Sequence, residues 1–202
     1  MRAIKHIALA LILGAFLLAV PARSAVADMV TYTFKADATG SLNGAGFADS
    51  LVTLTFVGDT SSVTEVSSGL FRNTVGTATV TIGGTTATLT PPVDVFVNQT
   101  DDTAGIETFA TILTVENTAL ANYALTTSIG PLTGTAGGVV NNASFGTSAG
   151  PLIITSFAAT GTFQATVSTA VPEPASLLLM GLGFTGMAVA TGLGWAPARR
   201  MK

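Results

Sequence analysis

One short segment concentrates side chains whose oxygens are suitable ligands for a metal ion. Asp94, Asn98, Asp101 and Asp102 lie together in the stretch DVFVNQTDD. Calcium takes about six to eight oxygen ligands, so a loop of this composition is able to hold it. The spacing differs from that of an EF-hand, and Asx residues are also common turn formers. We therefore favour an ordinary turn, and keep a calcium site on Asp94, Asp101 and Asp102 as the alternative.

Paired carboxylates are the second chemistry that the sequence leaves open. Glycoside hydrolysis needs only two carboxyl groups about 5 to 10 Å apart. Glu65, Glu107 and Glu116 are candidates, although no motif surrounds them. A metal-independent glycosidase is therefore kept as a third hypothesis.

The chain lacks the residues that nucleophilic and zinc-dependent catalysis commonly use. The chain has no cysteine, and its single histidine, His6, lies in the N-terminal segment. Ser-His-Asp and Cys-His arrangements, as well as zinc sites built on cysteine or histidine, need these side chains. We expect a protein that is not an enzyme and has no cofactor.

Charge is sparse and unevenly distributed. Between Asp28 and Val171 there are ten acidic residues against Lys35 and Arg72, a net charge of about −8, whereas the whole chain carries −3. A domain of this charge repels phosphate backbones and has no basic stripe to release counterions. We expect no binding to nucleic acid.

The N-terminus has the three parts of a secretory signal. Two basic residues precede an apolar run over residues 7–20, and Ala25 and Ala27 then form a small-x-small cleavage site. A membrane-spanning helix needs about 20 apolar residues, so this run is too short to be one. We predict a signal peptide at residues 1–27 that signal peptidase removes.

The C-terminus has the composition of a membrane segment with a basic end. Residues 176–196 carry no charge, and at about 1.5 Å per residue they are long enough to cross a hydrocarbon core of about 30 Å. Arg199, Arg200 and Lys202 follow, and basic residues remain on the cytoplasmic side. We predict a transmembrane helix at 176–196 with its basic tail inside, which leaves residues 28–168 outside.

A Pro-Glu-Pro sequence directly precedes this segment. Pro172 and Pro174 fix φ and remove backbone donors, so Glu173 is held as an isolated charge just outside the bilayer. With the Gly-rich apolar run and the arginine pair, residues 169–202 resemble the PEP-CTERM sorting signal. The resemblance implies a Gram-negative bacterial protein that an exosortase, a membrane transpeptidase, cuts near Pro-Glu-Pro and passes to the cell surface. It also implies a link to exopolysaccharide and biofilms.

The region between the two ends is rich in Thr, Val, Ala and Gly, and its apolar residues alternate with period two. Such alternation predicts strands with one buried face, and Gly83-Gly84 predicts a tight hairpin. We predict an all-β fold with roughly eight to ten short strands in a single β-sandwich, or its jelly-roll variant, over residues 28–168. Residues 130–150 are expected to form a long flexible loop. The predicted strand faces are Tyr32/Phe34/Ala36, Val52/Leu54/Phe56, Val80/Ile82, Ala87/Leu89, Val93–Val97, Phe109/Thr111/Leu113/Val115 and Phe163/Ala165/Val167, with Ile153–Phe157 pairing with the last of them.

These observations give one leading hypothesis and one main alternative. We expect a structural or adhesive component of the cell surface or extracellular matrix, associated with exopolysaccharide and passing through an inner-membrane-anchored intermediate. The alternative is a carbohydrate-binding module, in which Tyr32, Tyr123 or Phe71 stacks on sugars. The expected partners are signal peptidase, an exosortase-like transpeptidase and exopolysaccharide. Before processing, we expect the C-terminal helix to anchor the protein in the membrane.

Overall fold

The computed structural model describes residues 28–138 and 143–168, and this part of the chain is built from antiparallel strands without an α-helix. The all-β prediction is confirmed. Two short 3₁₀ turns, Thr60–Ser62 and Thr118–Leu120, connect strands. The strands are β1 (Met29–Leu42), β2 (Ala45–Asp59), β3 (Val63–Ser67), β4 (Leu70–Asn73), β5 (Gly76–Ile82), β6 (Thr85–Thr88), β7 (Asp94–Asn98), β8 (Thr103–Glu107), β9 (Thr111–Glu116), β10 (Ile129–Gly137), β11 (Ser144–Phe145) and β12 (Leu152–Ser168).

Alternation of apolar and polar residues places the core where the sequence predicted it. Tyr32 and Phe34 on β1 are completely buried, as are Leu54 and Phe56 on β2. The threonines between them face outward because successive side chains of a strand point to opposite faces. The hairpin between β5 and β6 is also confirmed, since Gly83 and Gly84 adopt φ values of +55° and +85°.

The strands form one continuous sheet rather than the two separate sheets that a sandwich prediction implies. Its order is β3-β4-β7-β8-β9-β10-β12-β1-β2-β5-β6, and β11 pairs with β12 off this path. Register shifts between β1 and β12, at Ala36/Ala38 and at Thr39/Gly40, interrupt the ladder. Irregularities of this kind bend and twist a strand. The sheet therefore curves, and its buried side chains form one hydrophobic cluster.

Three strands are much longer than predicted. β1 has 14 residues, β2 has 15 and β12 has 17. Residues 153–157 were predicted to pair with the last strand. Instead, they belong to that strand, β12, and pair with β1 through Ser41↔Ile153 and Ala38↔Phe157. The prediction separated them because small and polar residues between Ala158 and Thr162 hide the continuity of the strand.

The predicted loop at 130–150 was wrong over about half of its length. Within it lie most of β10 and all of β11, and both pair with β12. Threonine and glycine gave these segments a loop-like composition, but the neighbouring strand supplies the hydrogen bonds that define them. Residues 139–142 lie outside the described residues.

Phe109 does not share the buried face of β9 that was predicted for it. It lies in the turn before β9, is 74% exposed and stacks on buried Phe145 with ring centroids 5.6 Å apart. The register between β8 and β9 shifts at Ile106/Glu107, and Ile112 and Leu113 are both buried although they are adjacent. The shift breaks the alternation that the prediction assumed.

One buried polar pair joins distant parts of the chain. Asn73 is completely buried, and its Nδ2 donates to the Asp59 carbonyl oxygen at 3.0 Å and to Tyr32 Oη at 3.4 Å. Tyr32 Oη in turn donates to the Leu125 carbonyl oxygen at 2.6 Å. Burial raises the pKa of Tyr32 to about 12, against a smaller lowering by Asn73, and burial also raises the pKa of Tyr123.

These tyrosines predict a loss of stability in alkali. Because the folded-state pKa of Tyr32 lies above its ordinary value of 10.0, its contribution is complete below pH 10 and is lost as the pH rises towards 12. At pH 11, where Tyr32 is mostly ionised in the unfolded chain but mostly protonated in the fold, the loss attributable to it is roughly 1 kcal/mol. Denaturant unfolding at pH 8 and pH 11 measures it, and Tyr32→Phe should show a smaller decrease between the two pH values. An equal decrease in wild type and variant would contradict this assignment.

Candidate functional site

The first and last strands bring both ends of the domain to one place. Met29 pairs with Ser168, and Ser168 Oγ donates to the Met29 carbonyl oxygen at 3.3 Å. β12 lies between β1 and β10, so the strand that leads towards the C-terminal segment is internal to the sheet. The chain therefore enters and leaves the domain at the same end.

The predicted targeting residues lie beyond these two points. Ala25 and Ala27, the motif Pro172, Glu173 and Pro174, the helix predicted at 176–196 and the basic residues Arg199, Arg200 and Lys202 are all outside the described residues. Among the residues that are described, no helix has the length and apolar character needed to span a bilayer. Three residues separate Ser168 from Pro172, so covalent geometry limits the distance from the end of β12 to this first residue of the motif to about 14 Å.

The carboxylates proposed for calcium are not brought together as one ligand set. Asp94 begins β7 and Asn98 ends it, which separates their backbones by about 13 Å. Asn98 instead builds the following turn: its Nδ2 donates to Asp101, and its Oδ1 accepts from the Thr100 amide at 3.0 Å. No group of three or more acidic or histidine side chains with metal-binding geometry occurs in residues 28–138 and 143–168.

The glutamates considered for glycoside hydrolysis are also far apart. Glu107 and Glu116 lie at opposite ends of the β8–β9 pair, opposite Thr111 and Thr103 respectively. Glu65 is on β3, three strands away from β8, and its Oε1 accepts from the Gly69 amide at 3.0 Å. Strand spacings of about 4.8 Å put the backbones of these residues more than 10 Å from one another.

Sugar stacking by the tyrosines is excluded by burial. Tyr32 is completely buried, and Tyr123 is 5% exposed and packs edge-on against Phe163. Phe71 is half-buried and packs against the core. These aromatic residues pack in or against the core.

Sequence reasoning missed a charged cluster on the outer surface of β4, β7 and β8. Arg72 Nη1 lies 3.3 Å from Asp94 Oδ2 and also bonds Glu107, and its guanidinium lies 5.8 Å from the centre of the Phe96 ring. Gly105 makes room for that ring, because a Cβ there would lie 2.4 Å from it. Only strand pairing brings these residues together, although the rarity of basic residues in this region was a signal that Arg72 has a specific use.

A cavity at the far end of the domain was not predicted either. It has a volume of about 370 Å³ and lies between the β1–β2 turn and the β5–β6 hairpin. Leu42, Phe47 and Ile82 give it an apolar wall, and Asn43 and Ser50 contribute polar groups. It is separated from Met29 and Ser168 by the length of β1.

The charged cluster predicts a specific loss of stability. Asp94 and Glu107 lie directly opposite each other in the ladder, so Arg72→Met leaves two like charges unpaired. We expect a loss of about 1–3 kcal/mol in the free energy of unfolding, partly restored by adding Asp94→Asn. Lys35→Met, at an exposed position, makes the same change in net charge and should stay within about 0.5 kcal/mol of wild type. Equal effects at the two sites would contradict a role for the cluster.

The turn after β7 predicts that calcium does not change the thermal stability of the protein. Asn98 Oδ1, Asp101 Oδ2 and the Asp101 carbonyl oxygen already accept hydrogen bonds within the turn, and no three acidic side chains converge there, so adding calcium or a chelator should not shift the midpoint of thermal unfolding. A calcium-dependent rise that is abolished by Asp101→Asn would contradict this interpretation and restore the calcium site.

Comparison with known proteins gives one match. A family model described as the PEP-CTERM protein-sorting motif covers residues 170–200. No curated protein and no solved structure matches the chain significantly. The matched range contains Pro172, Glu173 and Pro174 followed by Arg199 and Arg200, so the resemblance seen in the residues is confirmed. The chain therefore carries a PEP-CTERM protein-sorting motif in its C-terminal region.

Proposed function

We propose that this protein is a structural or adhesive component of the bacterial cell surface or extracellular matrix, and that it has no enzymatic activity. The sorting motif points to an exported protein that an exosortase-type enzyme processes. The proposal adds what the β-rich domain does once it has been delivered.

The position of the domain relative to the motif supports this proposal most directly. Both segments that connect the domain to the export machinery leave from the Met29/Ser168 end. A protein held at this end presents its opposite end and its broad sheet surfaces outward. A surface component that is attached through its C-terminal region and makes contacts along its body needs this arrangement.

The distribution of chemical groups supports a role without catalysis. The candidate glutamates lie far apart, and Asp94 and Glu107, which lie opposite each other, are neutralised in part by Arg72. The single histidine precedes the domain. A role in binding or cohesion requires no activated nucleophile, general acid or general base.

The intermediate stage follows from the predicted C-terminal helix. We propose that residues 176–196 hold the exported chain in the inner membrane, with the basic tail inside, until an exosortase-like enzyme cuts near Pro-Glu-Pro. With three residues between Ser168 and Pro172, the folded domain would then lie next to the membrane. The processing site must lie beyond Ser168 if β12 is to keep its pairing with β1.

A carbohydrate-binding module remains the second candidate, in association with exopolysaccharide. The cavity beside Phe47 and the hydroxyl-rich outer surface of the sheet favour it. It differs from the leading proposal only in naming the ligand, and the two are compatible in one protein.

Replacing the motif tests the delivery step. In a host that carries an exosortase, wild type should lose its C-terminal segment and reach the cell surface. Pro172→Ala/Glu173→Gln/Pro174→Ala should keep its C-terminal segment and remain in the membrane fraction, because the enzyme loses its recognition sequence. Immunoblotting of membrane and surface fractions with an antibody against residues 28–168 measures both outcomes.

The matched control changes a glutamate and a proline, the same residue types as in the motif, at positions within the domain. Glu116→Gln/Pro151→Ala alters an exposed glutamate and an exposed proline, and should fractionate as wild type does. If the motif variant is processed and displayed like wild type, the delivery step of the proposal fails.

A further inference from the structure

The outward face of six neighbouring strands is a grid of threonines, which we call the threonine face. Strand register aligns its side chains in rows across β10, β12, β1, β2, β5 and β6. All of its positions are threonine except Lys35, Gln164 and Val57. The rows are Thr133-Thr162-Lys35-Thr53-Thr81-Thr86, then Gln164-Thr33-Thr55-Thr79-Thr88, then Thr166-Thr31-Val57-Thr77.

Two carboxylates flank this face along the strands but do not enter it. Asp37 and Asp59 occupy the next outward positions along β1 and β2, at opposite limits of the grid. Inside the grid the one charged side chain is that of Lys35. The domain carries a net charge of about −8, yet this continuous surface has no acidic group, so the acidic residues are distributed unevenly.

Strand propensity alone does not account for the grid. Threonine is a good strand former, so some enrichment is expected on any exposed sheet surface. The outward surface of β4, β7 and β8 in the same domain instead carries Arg72, Asp94, Phe96 and Glu107. The two surfaces share their secondary structure and differ in chemistry, which points to a different use.

The geometry of the face determines what it fits. Neighbouring strands lie about 4.8 Å apart, and successive outward residues on one strand lie about 6.8 Å apart, so hydroxyl and methyl groups repeat in two directions. Threonine is restricted at χ1, and side chains in the middle of the grid are half-buried by one another. Binding therefore orders few side chains, which lowers its entropic cost.

We propose that the threonine face binds the surface of a neutral polysaccharide. Sugar rings present C–H faces and hydroxyl edges, and threonine offers a methyl group and a hydroxyl group to match them. Anionic polymers are repelled by the domain's net charge of about −8 and by the flanking Asp37 and Asp59, whereas a neutral polymer is not. This inference rests on the proposed surface location and identifies the ligand class and the surface that takes it.

Valine substitutions test the face without disturbing the strands. Thr33→Val/Thr55→Val/Thr79→Val removes three aligned hydroxyls from the middle row and keeps side-chain shape and strand propensity. Full-length protein in mild detergent is sedimented with insoluble neutral glucans, and the bound fraction is measured against protein concentration. We expect the dissociation constant of the variant to rise at least tenfold, with an unchanged midpoint of thermal unfolding.

A matched control places the same change outside the face. Thr64→Val/Thr74→Val/Thr126→Val alters three exposed threonines elsewhere and should bind as wild type does. The proposal is overturned if wild type sediments with no neutral polysaccharide, or if the two triple variants lose binding equally. Ice is the alternative ligand that the test includes. If wild type is incorporated into growing ice, and the middle-row variant loses this incorporation but keeps its binding to glucan, the face recognises ice and the proposal is overturned.

Surface fractionation of the same variants separates this proposal from the proposed function. The middle-row variant should reach the cell surface like wild type, because it keeps the sorting motif. Surface delivery without glucan binding by wild type would refute the ligand assignment alone. Glucan binding by a protein that never reaches the surface would refute the proposed function alone.

Discussion

The pairing of β1 with β12 is the interaction on which the rest of the structure depends. It runs from Met29↔Ser168 to Leu42↔Leu152 and joins the first strand of the domain to the last. Phe34 and Phe163 meet across it with ring centroids 4.9 Å apart, at the centre of the core. Such long-range pairing closes a large loop of chain and costs conformational entropy, which the buried contacts must offset. The core is therefore complete only when the segment that precedes the sorting motif is in place.

This pairing also links the fold to the delivery of the protein. β12 has a neighbour on each side, so pulling on the C-terminal segment loads an internal strand rather than a free edge. The same two strands are internal to the threonine face, and one pairing aligns both their outward and their buried residues. A one-residue slip would turn these threonines inward and the aromatic residues outward, so the core fixes the register of the face.

The sequence predicts the fold where neighbouring residues carry the information. Alternation in β1, β2 and β5 gave their buried faces, and Gly83-Gly84 gave a hairpin, because both signals are local. β10 was missed because its Gly and Thr residues owe their strand conformation to β12, which lies far along the chain. Phe109 was misplaced because a register shift, which only the pairing reveals, interrupts the alternation. The same distinction applies to function: the sorting motif is a linear signal, whereas the contacts of Arg72 and the rows of threonine exist only after strands pair.

The direct test of this account is whether the two ends of the domain are neighbours. The chain has no cysteine, so Met29→Cys/Ser168→Cys introduces the only thiols. Residues opposite each other in an antiparallel ladder lie about 4.5–5.5 Å apart at Cα, within the range for a disulfide. We expect mild oxidation of the folded full-length protein to form an intramolecular disulfide, seen as a mobility shift that reductant reverses. Met29→Cys/Gln164→Cys, separated by about 13 Å along β12, should not form it. Free thiols in the first variant, or equal cross-linking in both, would contradict the pairing.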